Sequence, residues 1–429
     1  MSETTGVSRG LRDPRVLVEQ AAEYRVLAAR GDLRGLAHSV MRAACRNGAM
    51  TGPGAENMAW LRSLPDADRL ALGRIWARWL TTVRDEGPYV FEEFGRDPRY
   101  LRAELLVVAS GVVLGLDGDL LAAERQARLA GIGGQFVIGS GNRDWELAAA
   151  ELMAGRVPGP EVLAVFRRTA LAGHAEPALR ETSAAFPGPP LNPGEPWADQ
   201  ALSDAAAGGE PWYRLLAHAA PFSARTPSKR WATAGRALLE GAGPEAVRRR
   251  ILAWFALTGL PRTVPLRSHR YGDIDLAHRP DPYNAQALRG LCWLLSLLAP
   301  TRSSVTALSR LTGTSLDPMP SGRAAAPEVA EAAVVALGLC GGQDAQAELR
   351  VLGQRVTHRT VARRIAAAEA ATATAPRLSS RDPPRTTPAP PDSAATAPGA
   401  AVTPRPPPDA AAGSARPAGP PGTWAVRRR

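Results

Sequence analysis

The chain has 429 residues, 45% of them hydrophobic, and a formal net charge of +11. That length suits two or three folding units with a sizeable core. Three widely spaced cysteines (Cys45, Cys292 and Cys340) without a Cys-x-x-Cys pair argue against a disulfide framework or a structural zinc site.

The basic balance points towards a polyanion. Yet Lys229 is the sole lysine, and Ala, Gly, Pro and Arg are abundant together, as a GC-rich genome imposes on any protein. The first residues hold no apolar signal core, and no run of about 18 apolar residues suggests a membrane span. A cytoplasmic protein with no membrane contact is the expectation.

Helix punctuation recurs along the chain, whereas strand alternation is nearly absent. Asp13-Pro14 opens a helix that Gly31 closes, since Asp caps, Pro suits the first turn and Gly suits the residue past the end. The scheme repeats from Asp32 to Gly48 and from Asp66 to Gly87, where Leu72, Ile75, Trp76 and Trp79 keep the spacing of one buried face. Asp97-Pro98 opens another. Further helices are expected near 119–130, 144–155, 160–172, 211–219, 227–240 and 244–258. The stretch "FPGPPLNPGEPW" (186–197) reads as a boundary.

The segment 284–300 is apolar nearly all round, which a surface helix is not. "CWLLSLLAP" from Cys292 aligns with "VVALGLCGG" from Val334, and 305–311 with 346–352. A period of roughly 40–47 residues with two helices per unit is the pattern of HEAT or armadillo repeats. An inner helix of such a stack touches its own partner and its neighbours, so it is apolar on several sides.

The composition changes near residue 372. From there to Arg429 lie 14 of the 39 prolines, and such a segment buries no core. The expected organisation is therefore all-α: an N-terminal helical domain (11–185), a Pro/Gly-rich linker (186–196), a HEAT-like helical repeat array (197–371) and a disordered tail (372–429).

No constellation commits the chain to a reaction. "GIGGQFVIGSGN" (131–142) follows a helical pattern and lacks a lysine, so it reads as an interhelix loop and not a phosphate cradle. His269, Asp273, Asp275 and His278 share one loop and are weak metal candidates, without the helical spacing of a zinc motif. The cysteines fall in apolar surroundings that leave a thiol inert. No cofactor is expected.

The least neutral feature is basic. Arg355, Arg359 and Arg363 follow an i, i+4, i+8 spacing that would place them on one helical face, and Arg248, Arg249 and Arg250 adjoin on another helix. Such rows suit phosphates or an acidic protein surface.

Four segments occur in a familiar order: "TPSKRWATAGRALLE" (226–240), "ILAWFALTGLPRTVPL" (251–266), "NAQALRGLCWLLSLL" (284–298) and "ALGLCGGQDAQAELRVLGQRVTHRTVARRI" (336–365). They resemble the bacterial domain-of-unknown-function family 4132, molybdate-metabolism-regulator-like, over about residues 210–371. Pro227-Ser228-Lys229 with Trp231, Leu288-Arg289-Gly290-Leu291 with Trp293, and Arg355-Val356 with His358-Arg359 carry the likeness. The resemblance implies a HEAT-like segment in a cytoplasmic bacterial protein and brings no catalytic residues.

The expected function is a non-enzymatic scaffold for a protein partner, with Arg355, Arg359, Arg363 and Lys229 as binding candidates. The alternatives are a nucleic-acid-binding or regulatory protein using the Arg face, and a metal-dependent enzyme using the 269–278 loop. The sequence sets no oligomeric state.

Overall fold

A computed structural model describes residues 14–47, 55–85, 98–116, 120–139, 143–172, 177–224, 226–268 and 276–374. Among these the protein is all-α, with eighteen helices and no strand. The segment expected to be a disordered tail lies almost wholly outside the described residues, as do His269, Asp273 and Asp275.

Helices α1 (Pro14–Ala29), α2 (Leu33–Asn47), α3 (Ala55–Arg62), α4 (Asp66–Asp85), α5 (Pro98–Val113), α6 (Ala122–Gly133), α7 (Asp144–Met153), α8 (Pro160–Ala170) and α9 (Pro177–Ala185) gather around one core. On α4, Leu72 and Trp76 are fully buried, with Ile75 and Trp79 beside them, so the 3,4-spaced face does turn inward. The Trp76 indole donates to the Ala37 carbonyl on α2 at 3.3 Å. Helix α5 packs against α2, α3, α4, α6 and α7.

A second core begins at Leu191 and runs to Ile365. It is built by α10 (Pro196–Gly208), α11 (Glu210–Ala219), α12 (Lys229–Ala242), α13 (Pro244–Ala256), α14 (Pro282–Ser296), α15 (Arg302–Leu316), α16 (Pro327–Cys340), α17 (Gly342–Arg355) and α18 (Arg359–Thr374). These helices stack in two rows. Helix α13 packs on α15 and α15 on α17, while α14 packs on α16 and α16 on α18. Helices of opposite rows also touch, α15 against α16 and α17 against α18. The aligned segments thus occupy equivalent places, α14 and α16 in one row and α15 and α17 in the other.

The position of α14 explains its composition. It touches α11, α12, α13 and α16, and also α8 of the first half. Leu288, Leu291, Trp293, Leu294 and Leu295 are all buried, each such side chain contributing about 1.5–3 kcal/mol. At Gly290 the backbone of α14 meets that of α11, and a Cβ there would fall onto the Ala219 carbonyl. Helices α16 and α17 are separated by Gly341 alone, whose φ of 63° makes the reversal that other residues resist.

Both cores lie within one compact unit, and the two helical sets are joined by packing. The Pro/Gly-rich stretch between them is not slack: Leu191 and Asn192 are fully buried, and α10 already begins at Pro196. The glycine cluster at 131–142 divides. Helix α6 runs through Gly133, and the chain beyond it leaves as irregular structure, with residues 140–142 outside the described set.

Candidate functional site

The seam between the two helical sets is held by a buried polar network. Arg168 on α8 is 1% exposed at its side chain and spends all three nitrogens. Its Nε donates to the Phe136 carbonyl at 2.6 Å, Nη2 to the Gln135 carbonyl at 3.0 Å and Nη1 to Asp281 Oδ2 at 2.9 Å. Asp281 in turn caps α14, accepting from the backbone N–H of Tyr283 at 2.9 Å and of Asn284 at 3.3 Å. One carboxylate therefore closes an ion pair and starts a helix, with Pro282 behind it at the first helical position.

Asn192 and Asn284 extend the network. The Asn192 side chain donates to both Asp281 oxygens at 3.1 Å. The Asn284 amide pairs with the Asn192 backbone in both directions, accepting from its N–H at 2.8 Å and donating to its carbonyl at 2.9 Å. Asn284 Nδ2 also reaches Glu195 Oε2 at 2.7 Å, and the Asp281 N–H donates to Glu195 Oε1 at 3.0 Å. Burial and the neighbouring Asp281 carboxylate push the Glu195 carboxyl up to about 7, against the opposing pull of Arg262 and these two hydrogen bonds. The backbone adds a further tie: the Phe136 N–H donates to the Arg267 carbonyl, and the Arg267 N–H to the Gly134 carbonyl, each at 2.9 Å.

Beside this network opens a cleft of about 770 Å³. Trp197, Leu257, Leu288 and Met319 supply apolar wall, while Glu195 and Arg262 supply polar groups. A volume of this size falls within the range of small-molecule sites, roughly 300–1,000 Å³. The ends of α13 and α15, the start of α14 and the loops 257–262 and 317–326 surround it.

No family model, curated protein or solved structure matches the chain.

The residues singled out from sequence are scattered with respect to this cleft. Arg355, Arg359 and Arg363 are all exposed, but they do not share one helix. Helix α17 ends at Arg355, Val356 is extended, and α18 starts afresh at Arg359. The β-branched run Val356-Thr357 fits that extended break better than a continued helix. Only Arg359 and Arg363 keep the i, i+4 relation. Lys229 is exposed at the first residue of α12, behind the Ser228 cap.

Arg248 is no part of a surface row. It is 5% exposed, pairs with Glu245 at 3.1 Å and donates to the Ala299 carbonyl at 2.6 Å. Arg250 lies over the Trp212 ring at 4.2 Å and donates to the Asp204 carbonyl. Of that triplet Arg249 alone is exposed.

Of the proposed metal loop, His278 is described. It is exposed at the cleft rim with its Nδ1 3.4 Å from the Gly259 carbonyl. Among the described residues no group of three His, Cys, Asp or Glu is placed to hold a metal. Burial pushes the Cys292 and Cys340 thiols up. Among the described residues no helix is long and apolar enough to cross a membrane.

The seam residues escaped sequence reading; Asn284 entered it only as the first residue of the apolar segment 284–300. Arg168 and Asp281 are 113 positions apart, and no local pattern joins them. The accessible signal was Asp281-Pro282, the same start device that opens other helices of this chain.

Proposed function

We propose that the protein is a non-enzymatic, cytoplasmic helical-repeat scaffold of the family it resembles, and that its partner is another protein. The supporting observation is the two-row stacking of α13–α18, since stacked helix pairs make an extended surface suited to binding. Arg355, Arg359 and Arg363 stand exposed at the α17–α18 turn and make no hydrogen bond or ion pair among the described residues. Their charge is unspent, and guanidinium groups favour carboxylates on a partner surface.

The test is capture from native lysate by the full chain, with and without nuclease, set against the double variant Arg359→Ala/Arg363→Ala. Exposed ion pairs contribute at most ~1 kcal/mol each, so the double variant is expected to weaken capture by about tenfold. A defined protein should survive nuclease treatment. If nucleic acid alone is recovered, with binding that falls steeply as salt rises, the nucleic-acid reading replaces this one.

A further inference from the structure

The cleft beside the seam contains donors without acceptors. Arg262 is held in place through its backbone, its N–H donating to the Ala277 carbonyl at 2.7 Å and the next N–H, of Thr263, to the Gly194 carbonyl at 3.1 Å. Gly194 makes room for it. Its φ is 103°, and a Cβ there would lie 2.9 Å from Arg262 Nη2. Yet the guanidinium is poorly served. Nη2 reaches the Pro193 carbonyl only at 3.5 Å, and Nε and Nη1 are buried with no acceptor. A second buried donor belongs to another residue lining the same cleft: Trp197, 2% exposed, has no partner for its indole N–H. Buried donors left unpaired cost about 1–3 kcal/mol each, so natural interiors rarely keep them without a purpose.

The surrounding charges point the same way. Arg168 is matched by Asp281. Arg262 faces Glu195, whose carboxyl is held substantially in its neutral form by burial and by Asp281. The Arg262 charge is thus incompletely balanced. The N-terminus of α10, a helix of 13 residues, lies at this end of the cleft; the Glu195 carbonyl accepts from the Asp199 N–H at 2.9 Å, but the Glu195 side chain makes no cap hydrogen bond to the helix. Helix N-termini present free N–H groups and a positive dipole end. Away from this end, Leu257, Leu288 and Met319 supply apolar wall, with Thr258, Thr314, Asp317 and Arg323 set among them.

We propose that the cleft binds a small organic monoacid, its carboxylate taken by Arg262, the Trp197 indole N–H and the N-terminus of α10, its apolar body lying against Leu257, Leu288 and Met319. A carboxylate suits the end of the cleft where Arg262 has donors without acceptors. The body needs no polar groups where it lies against those three side chains. Arg262 Nε and Nη1 and the Trp197 Nε1 are shielded as the side chains now lie, so the acid meets them after the guanidinium turns towards the cleft and uncovers the indole edge. The contact surrendered in that turn, to Pro193, is already at the limit of a hydrogen bond. This inference stands apart from the scaffold reading, because no residue of the α17–α18 surface enters it.

The experiment is titration calorimetry on the full chain with octanoate as probe and octan-1-ol as its uncharged counterpart. Octanoate is expected to saturate one site and to bind about tenfold or more tightly than the alcohol. Arg262→Gln should abolish that preference. Leu260→Trp, at a rim position that is 48% exposed and outside the core, should weaken both ligands by filling the mouth. The proposal is overturned by equal binding of acid and alcohol, by absence of saturation at millimolar octanoate, or by a folded Arg262→Gln that keeps the preference. Should Arg262→Gln not fold, unchanged octanoate affinity in Leu260→Trp overturns it equally.

Discussion

Glu151 and Glu195 are both carboxylates set among arginines, and their surroundings drive them in opposite directions. Glu151, on α7, receives Arg125 Nε at 2.7 Å, Arg156 Nε at 2.6 Å and Gln126 Nε2 at 3.2 Å. Burial alone would raise its carboxyl, but the hydrogen bonds from Arg156, Arg125 and Gln126 prevail and hold it at about 2. Glu195, at the seam, receives two neutral donors, has a second carboxylate nearby, and sits at about 7. What separates them is whether charged donors aim at the oxygens or another carboxylate competes for the same positive field. The first cluster is closed upon itself and serves the fold. The second leaves Arg262 and Trp197 with donors to spare, and it borders a cleft.

The largest expected effect comes from removing the carboxylate that ties the seam together. Asp281→Ala leaves Arg168 buried without a counter-charge, which costs about 3–5 kcal/mol, and it removes the cap of α14, worth about 1 kcal/mol more. Urea unfolding at neutral pH should show a loss of about 4–6 kcal/mol. A loss below about 1 kcal/mol would mean that the ion pair does not hold the two helical sets together. The same variant should lower the Glu195 carboxyl, because its competing charge is gone.

Glu151→Gln sharpens the contrast from the other side. Glu151 is depressed in the folded protein, so its stabilisation is fully present above the ordinary carboxylate value of 4.5 and is lost as pH falls towards about 2. The variant is expected to cost on the order of 3 kcal/mol at pH 7. That deficit should shrink steadily in unfolding curves recorded between pH 5 and pH 3. A deficit that stays constant with pH would show that packing, and not the carboxylate charge, is what the substitution removes.

These two clusters also mark how far the chain could be read. Helix starts such as Asp32 were legible because they rest on neighbours in sequence, Asp32 accepting from the Gly35 N–H at 2.8 Å, whereas the Asp281-Pro282 start of α14 was passed over in favour of Asn284. The all-round apolar character of 284–298 gave away an inner helix, because periodicity reports how many sides are covered. Helices α3, α9 and α10 were missed. The first two are only 8 and 9 residues long, too short for a clear periodic pattern, and α10 begins inside a segment whose prolines and glycines read as a break. The arginine stripe failed for a related reason. Its spacing was helical, but the extended Val356 divided the helix that the spacing presupposed. The seam was illegible because its members come from α8, the 189–195 stretch and the start of α14, and the tertiary fold alone brings them within hydrogen-bonding distance.

The smallest expected effect tests the seam carboxylate itself. Glu195 is raised in the folded state, so its contribution is fully present below about 4.5 and is lost as pH climbs through about 7. Wild type should therefore lose stability between pH 5 and pH 8 on this account, and Glu195→Gln should flatten that part of the profile. The gain at pH 8 is limited. An amide offers one acceptor oxygen where the carboxyl offered two, so either the Asp281 N–H or the Asn284 amide is left facing an NH2 group. An unpaired buried donor costs about 1–3 kcal/mol, which offsets most of what removing the charge returns. The net difference at pH 8 is expected within about 1 kcal/mol of zero, with the change in slope as the informative readout. A variant whose stability falls with pH as steeply as wild type would assign that dependence to another group.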